Sequence, residues 1–176
     1  MASITLITGS PGSGKSTIGR ALAEQVSGGV HIKVDEIRES VVDYAGPGEF
    51  TSEALRQFML ARQVAIHWAR TYADAGHPVI VDDVCIPESF GQHYAALNEH
   101  PQEARVLLAP SRDTLIKRIN ERGGPYAEFF VQNGLSWVLE LIEAMPKEEW
   151  IVVDSSELSV EETVQAVVKQ LEMGSS

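Results

Sequence analysis

The stretch Ile4-Thr5-Leu6-Ile7-Thr8-Gly9-Ser10-Pro11-Gly12-Ser13-Gly14-Lys15-Ser16-Thr17 decides the fold of this chain. A short apolar run, a turn rich in glycine and a Lys-Ser pair opening a helix make the strand–loop–helix context of a phosphate-cradling P-loop. Gly9, Gly12 and Gly14 let the backbone turn tightly, so that several N–H groups of the loop Ser10-Pro11-Gly12-Ser13-Gly14-Lys15-Ser16-Thr17 (Pro11 has none) can point at a polyphosphate. The helix beginning near Lys15 adds the positive end of its dipole to the same anion. Lys15 is placed to reach the β- and γ-phosphates, and the Ser16 hydroxyl to complete the shell of a Mg²⁺ ion. The segment predicts a nucleoside triphosphate site.

Outward from this loop the chain alternates short apolar strands with helical patterns. Residues 3–8 read as the first strand and 15–27 as the helix after the loop. Val30 to Val34 reads as a second strand, closed by Asp35 and a short helix over 36–42. Residues 43–50 are a Gly/Pro loop. A long helix is expected from Thr51 to Ala75, capped by Thr51 or Ser52, with Leu55, Phe58, Met59, Ala65, Ile66 and Ala69 on its apolar stripe. Val79-Ile80-Val81 is a third strand running into Asp82-Asp83, and 87–99 is helical. Residues 104–109 form a fourth strand, and Ser111 caps a helix to Arg122. Gly123-Gly124-Pro125 follows, then a helical segment over 135–144 and a last strand, Ile151-Val152-Val153. Ser159-Val160-Glu161-Glu162 is a capping box, and the helix after it puts Val160, Val164, Val167, Val168 and Leu171 on one face. Five apolar strands separated by helices predict an α/β fold: a parallel sheet covered on both faces. Ligands of such sheets lie beyond the carboxyl ends of the strands, which places the loop, Asp35, Asp82-Asp83 and Asp154 on one edge.

Composition narrows the class. The 176 residues suit a single domain over 1–176, and their net charge of −11 without a basic run disfavours a nucleic-acid partner. The single Cys85 excludes a disulfide framework, and the five histidines lack metal spacing. No apolar stretch is long enough to span a membrane, and Met1 leads straight into the first strand, so a cytoplasmic protein is expected. Trp68, Trp137 and Trp150 read as core or lid packing.

Seven side chains beyond the loop are candidates for chemistry. Asp82 and Asp83 end a buried strand, the place of a carboxylate that orients Mg²⁺ or its waters, although either could cap the following turn. Asp35 suits the base that accepts a proton from an attacking hydroxyl; it could also be the N-cap of the next helix. Arg118 and Arg122 share a helix face beside the Gly123-Gly124 segment, fit to contact phosphate as a lid over about 118–134 closes, or to be solvated helix charge. Arg62 falls within the apolar stripe of the long helix, so it either lines a substrate cleft or forms a structural ion pair. Arg38, one turn after Asp35, and Asp83 are further substrate-side candidates.

The residues from Gly9 to Thr17, Val34-Asp35-Glu36-Ile37-Arg38 and Ala75-Gly76-His77-Pro78-Val79-Ile80-Val81-Asp82-Asp83-Val84 resemble the small P-loop kinases of the nucleoside/shikimate kinase type. The last stretch is especially similar to the chloramphenicol phosphotransferases. Leu107-Leu108-Ala109-Pro110-Ser111 with Arg118 and Arg122 resembles a wider set of AAA-type phosphotransferases. The resemblance implies a three-layer α/β/α P-loop NTPase fold with strand order 2-3-1-4-5. It also implies Mg-ATP as phosphoryl donor and Asp35 as base toward a small hydroxylated acceptor, with substrate-side helices over about 36–75. It does not transfer the acceptor's identity. Two rival readings are an NTP-driven switch acting on a protein partner and a polynucleotide 5′-hydroxyl kinase. A guanine-specific Asn-Lys-x-Asp motif is absent, which argues against a GTPase.

Overall fold

The computed structural model describes residues 2–44, 46, 51–84, 94, 103–124, 127–145 and 147–174. Cys85, Pro125, most of the 87–99 segment and part of the 43–50 loop lie outside them.

Five strands, β1 (Ile4–Gly9), β2 (Val30–Lys33), β3 (Val79–Asp82), β4 (Glu103–Leu108) and β5 (Ile151–Val153), form one parallel sheet ordered β2-β3-β1-β4-β5. This is the order the family resemblance implies. β1 is central and buried along its whole length. Successive side chains of a strand point to opposite faces, and the core splits accordingly. Ile4, Leu6, Val79, Val81 and Leu107 face the long helix α3 (Ser52–Asp74) and α5 (Leu135–Glu143). Ile7, Ile80, Val106 and Leu108 face α1 (Lys15–Gln25) and α6 (Val160–Gly174). The molecule is therefore three layers, α/β/α. A third apolar cluster joins α4 (Arg112–Arg122) to the segment around Leu135.

Caps appear where the sequence places them. Thr51 Oγ1 accepts from the Ala54 N–H at 3.1 Å and Ser111 Oγ from the Thr114 N–H at 3.3 Å. The capping box is reciprocal: Glu162 N–H donates to Ser159 Oγ at 3.1 Å, and Ser159 N–H to Glu162 Oε2 at 2.8 Å.

Several expectations are corrected. β2 stops at Lys33, and Val34 opens the short helix α2 (Val34–Glu39), so Asp35 lies in its first turn and is not its N-cap. The buried face of α3 is Ala54, Gln57, Ala61, Arg62, Ala65, Ala69 and Ala73, whereas Leu55 and Met59 are exposed. Ala65, Ile66 and Ala69 of the expected stripe do meet the core, and small side chains beside them let the helix approach the sheet closely. Trp150 is buried, but Trp68 and Trp137 are nearly half exposed, and Val160 also faces outward.

Candidate functional site

The P-loop sits between β1 and α1 at the carboxyl edge of the sheet. The N-cap of α1 is Gly14, in a left-handed conformation (φ 94°) with no side chain capping the helix. The first bond inside the helix is Ile18 N–H to the Gly14 carbonyl at 2.9 Å, so the N–H groups of Lys15, Ser16 and Thr17 precede it and remain for a ligand. Gly12 lies against α4: a Cβ there would stand 2.9 Å from Ile119 Cγ1 and 3.2 Å from the Leu115 carbonyl oxygen. Only glycine lets loop and helix touch at that point.

That contact brings the arginines of α4 to the loop. A pocket of about 220 Å³ is lined by Gly12, Gly14, Lys15, Ser16, Thr17, Arg118 and Arg122. Arg118 is anchored: its Nη2 donates to the Ser155 carbonyl at 2.7 Å, and Nη1 reaches the Ser13 carbonyl at 3.5 Å. It is a wall of the pocket already in this conformation, whereas Arg122 is exposed at its rim. Asp154, on the same edge, accepts from the Ser156 N–H at 2.9 Å and from its hydroxyl, and thus caps a turn. Those hydrogen bonds, the hydroxyl's first, hold its carboxyl below the ordinary value.

Asp82 and Asp83 diverge. Asp82, on the α1 side, accepts from Ser16 Oγ through Oδ1 at 3.2 Å. Asp83 turns toward α3: its Oδ2 accepts from Arg62 Nε at 2.7 Å and from the Tyr94 hydroxyl at 2.9 Å, all three side chains being buried. Arg62 Nη2 also donates to the Val84 carbonyl at 3.1 Å. The structure thus gives Arg62 the ion pair rather than an open cleft position. Neither Tyr94 nor His31, which meets Asp82 Oδ2 at 2.7 Å, stands out in the sequence, because both contacts join distant segments. Among the described residues no group of three or more His, Cys, Asp and Glu could hold a metal by itself.

Asp35 projects from the first turn of α2 with about half of its side-chain surface (55 %) open to solvent. The protein atoms crowding the rest push its carboxyl above the ordinary carboxylate value; Asp83 and Asp82 add to the rise, and Lys15 and Arg38 oppose it. One turn on, Arg38 is 4 % exposed and lies over the Phe58 ring at 4.0 Å and beside the Tyr44 ring at 5.6 Å. Its Nη2 is 3.8 Å from Asp35 Oδ1, and its Nε and Nη1 have no hydrogen-bond partner among the described residues.

The residues present fit a nucleotide with a divalent ion. Ser13 Oγ is buried without a partner in the loop, and a hydroxyl and a carboxylate meet at Ser16 and Asp82, the pairing a P-loop protein uses for Mg²⁺.

Sheet order, loop and pocket define the class: a P-loop NTPase fold with a kinase-like edge. A family model described as an AAA domain matches residues 4–143, and the chain belongs to that family. No curated protein matches the sequence. Among solved structures, a sugar kinase from Janibacter sp. HTCC2649 is 21 % identical, with 98 % of this chain and 95 % of that one covered and a TM-score of 0.73. A shikimate kinase from Bacteroides thetaiotaomicron is 19 % identical, covering 97 % of this chain and 98 % of that one (TM-score 0.68). A gluconokinase from Sinorhizobium meliloti 1021 is 21 % identical, covering 98 % and 92 % (TM-score 0.66). The likeness is one of fold: this chain shares the architecture of the small P-loop kinases.

Proposed function

We propose that this protein is a phosphotransferase that moves the γ-phosphoryl group of ATP to a hydroxyl of a small molecule. The observation that carries this reading is Asp35: a partly open carboxyl, raised by crowding, on the same sheet edge as the P-loop and one helical turn from a buried arginine whose Nε and Nη1 have no hydrogen-bond partner among the described residues. A carboxylate raised toward the working pH is a better proton acceptor than an ordinary one.

Lys15 and the free N–H groups of the loop hold the phosphates, and Arg118, with Arg122 at the rim, supplies positive charge from the α4 side. When bound, Mg²⁺ neutralises charge developing on the phosphates, with Ser16 and Asp82 as the residues that hold it. Asp83, fixed by Arg62 and Tyr94, keeps the start of the next loop in place. As the acceptor oxygen bonds to the γ-phosphorus, the bond to the β–γ bridging oxygen breaks and ADP leaves. The acceptor's proton passes to Asp35 Oδ. The unpaired Nε and Nη1 of Arg38 favour an acceptor with an anionic or oxygen-rich group near the reacting hydroxyl. The net charge of −11 supports a small acceptor over a nucleic acid.

The test is acceptor-dependent ADP release across sugars, sugar acids, hydroxylated carboxylates, nucleosides and phenicol or aminoglycoside antibiotics. Release stimulated by one chemical class and lost in Asp35→Asn supports the reading. Hydrolysis indifferent to every acceptor, and equal in Asp35→Asn, contradicts it and favours an NTP-driven switch.

A further inference from the structure

Asp82 is held from behind. His31 lies on β2, the edge strand paired with β3, and its Nε2 stands 2.7 Å from Asp82 Oδ2. Both side chains are nearly sealed from solvent, at 5 % and 4 % exposure. An ionised carboxylate only accepts hydrogen bonds, so the contact places the hydrogen on Nε2 of the ring. The other carboxylate oxygen, Oδ1, takes the Ser16 hydroxyl at the mouth of α1. The two oxygens of Asp82 therefore have separate partners: one faces into the fold and the other faces the P-loop.

The helix beside this pair is shaped for it. Gly19 occupies the interior of α1, where glycine costs about 1 kcal/mol relative to alanine. A Cβ at Gly19 would stand 2.8 Å from His31 Nε2 and 3.2 Å from Cδ2, so a larger residue would drive the ring off Asp82. Helix, ring and carboxylate form one stack behind the loop.

We propose that His31 is a positioning residue for the divalent ion that accompanies the nucleotide. By donating to Oδ2 it fixes the rotation of the Asp82 carboxylate and presents Oδ1 beside Ser16, where the ion is held. The inference rests on the assignment of the metal side to Ser16 and Asp82. A hydrogen-bond partner of this kind, acting through a ligand-side carboxylate, typically changes metal affinity about 10–100-fold when removed.

The test compares His31→Leu, which lacks the donor, with His31→Gln, which keeps one. Mn²⁺ is titrated, with detection by electron paramagnetic resonance, into protein saturated with a non-hydrolysable ATP analogue. Affinity for the analogue is measured separately in chelator. The Leu variant is expected to lose about tenfold or more in Mn²⁺ affinity, the Gln variant to recover most of it, and the metal-free analogue affinity to stay within about twofold. Unchanged Mn²⁺ affinity in a folded Leu variant overturns the proposal, as does a parallel fall in metal-free analogue affinity, which would mark plain packing. Wild-type protein that binds no Mn²⁺ overturns it through the metal assignment beneath it, an outcome distinct from the other two. If the Leu variant does not fold, ¹⁵N-histidine spectra of the wild type decide: Nε2 protonation of His31 supports the pair, and the Nδ1–H tautomer overturns it.

Discussion

Arg38 and Arg62 border the same ring, Phe58, at 4.0 and 5.5 Å, yet sit in opposite electrostatic surroundings. Arg62 joins α3 to the end of β3 through Asp83 and the Val84 carbonyl, with Tyr94 completing the cluster. Arg38 is as deeply buried, but among the described residues its Nε and Nη1 have no hydrogen-bond partner and its carboxylate neighbour, Asp35, is 3.8 Å away. A buried charge is tolerated when it is paired; one left without partners costs free energy that packing alone does not return. The contrast teaches that burial by itself does not separate a structural arginine from a functional one. The state of its N–H groups does.

Four predictions from three substitutions break or sharpen that contrast. The largest effect is expected from Arg62→Met, which leaves Asp83 charged and buried without its partner. Removing one member of such a pair typically costs about 3–5 kcal/mol, a fall in Tm of roughly 10 °C for a chain of this size, read by thermal unfolding. Next comes Asp35→Asn, expected to lower turnover by about 100-fold or more at saturating ATP with nucleotide affinity unchanged. Arg38→Met is expected to raise the acceptor KM about tenfold while lowering Tm far less than Arg62→Met, because its contact with Asp35 is long, at 3.8 Å, and its Nε and Nη1 make no hydrogen bond among the described residues. A Tm fall as large as that of Arg62→Met would erase the distinction between the two. The smallest effect is on stability against pH. The Asp35 carboxyl titrates higher folded than unfolded, so its ionised form opposes folding: its contribution is fully present below the ordinary carboxylate range and lost as pH rises through the raised value. Asp35→Asn is therefore expected to melt slightly higher than wild type at neutral pH, with the gap closing in acid. By the same sign, the acid limb of kcat/KM should lie above the ordinary carboxylate range.

Much of this was legible in the chain, for reasons that differ by residue. The P-loop, the strand ends and the capping box at Ser159 and Glu162 are local, set by neighbours within a few positions. On α3, Ala65, Ile66 and Ala69 of the expected stripe do pack on the core, whereas Leu55 and Met59 face outward and a row of alanines takes their place. Arg62 stood out as a charge on an apolar face, but its partner 21 residues away could not be read from spacing. His31 and Asp82 are 51 residues apart and meet only because β2 and β3 pair. Asp35 was found by its place after a strand, yet its true setting, inside a helical turn, depends on where β2 stops.

The most direct measurement is single-turnover transfer of label from γ-labelled ATP to the acceptor class that stimulates ADP release, in wild type and Asp35→Asn side by side. The expected result is label on the acceptor hydroxyl in wild type and transfer slowed about 100-fold or more in the variant, with both proteins binding nucleotide equally. Label appearing only as inorganic phosphate, at the same rate in both proteins, would contradict the phosphotransferase reading.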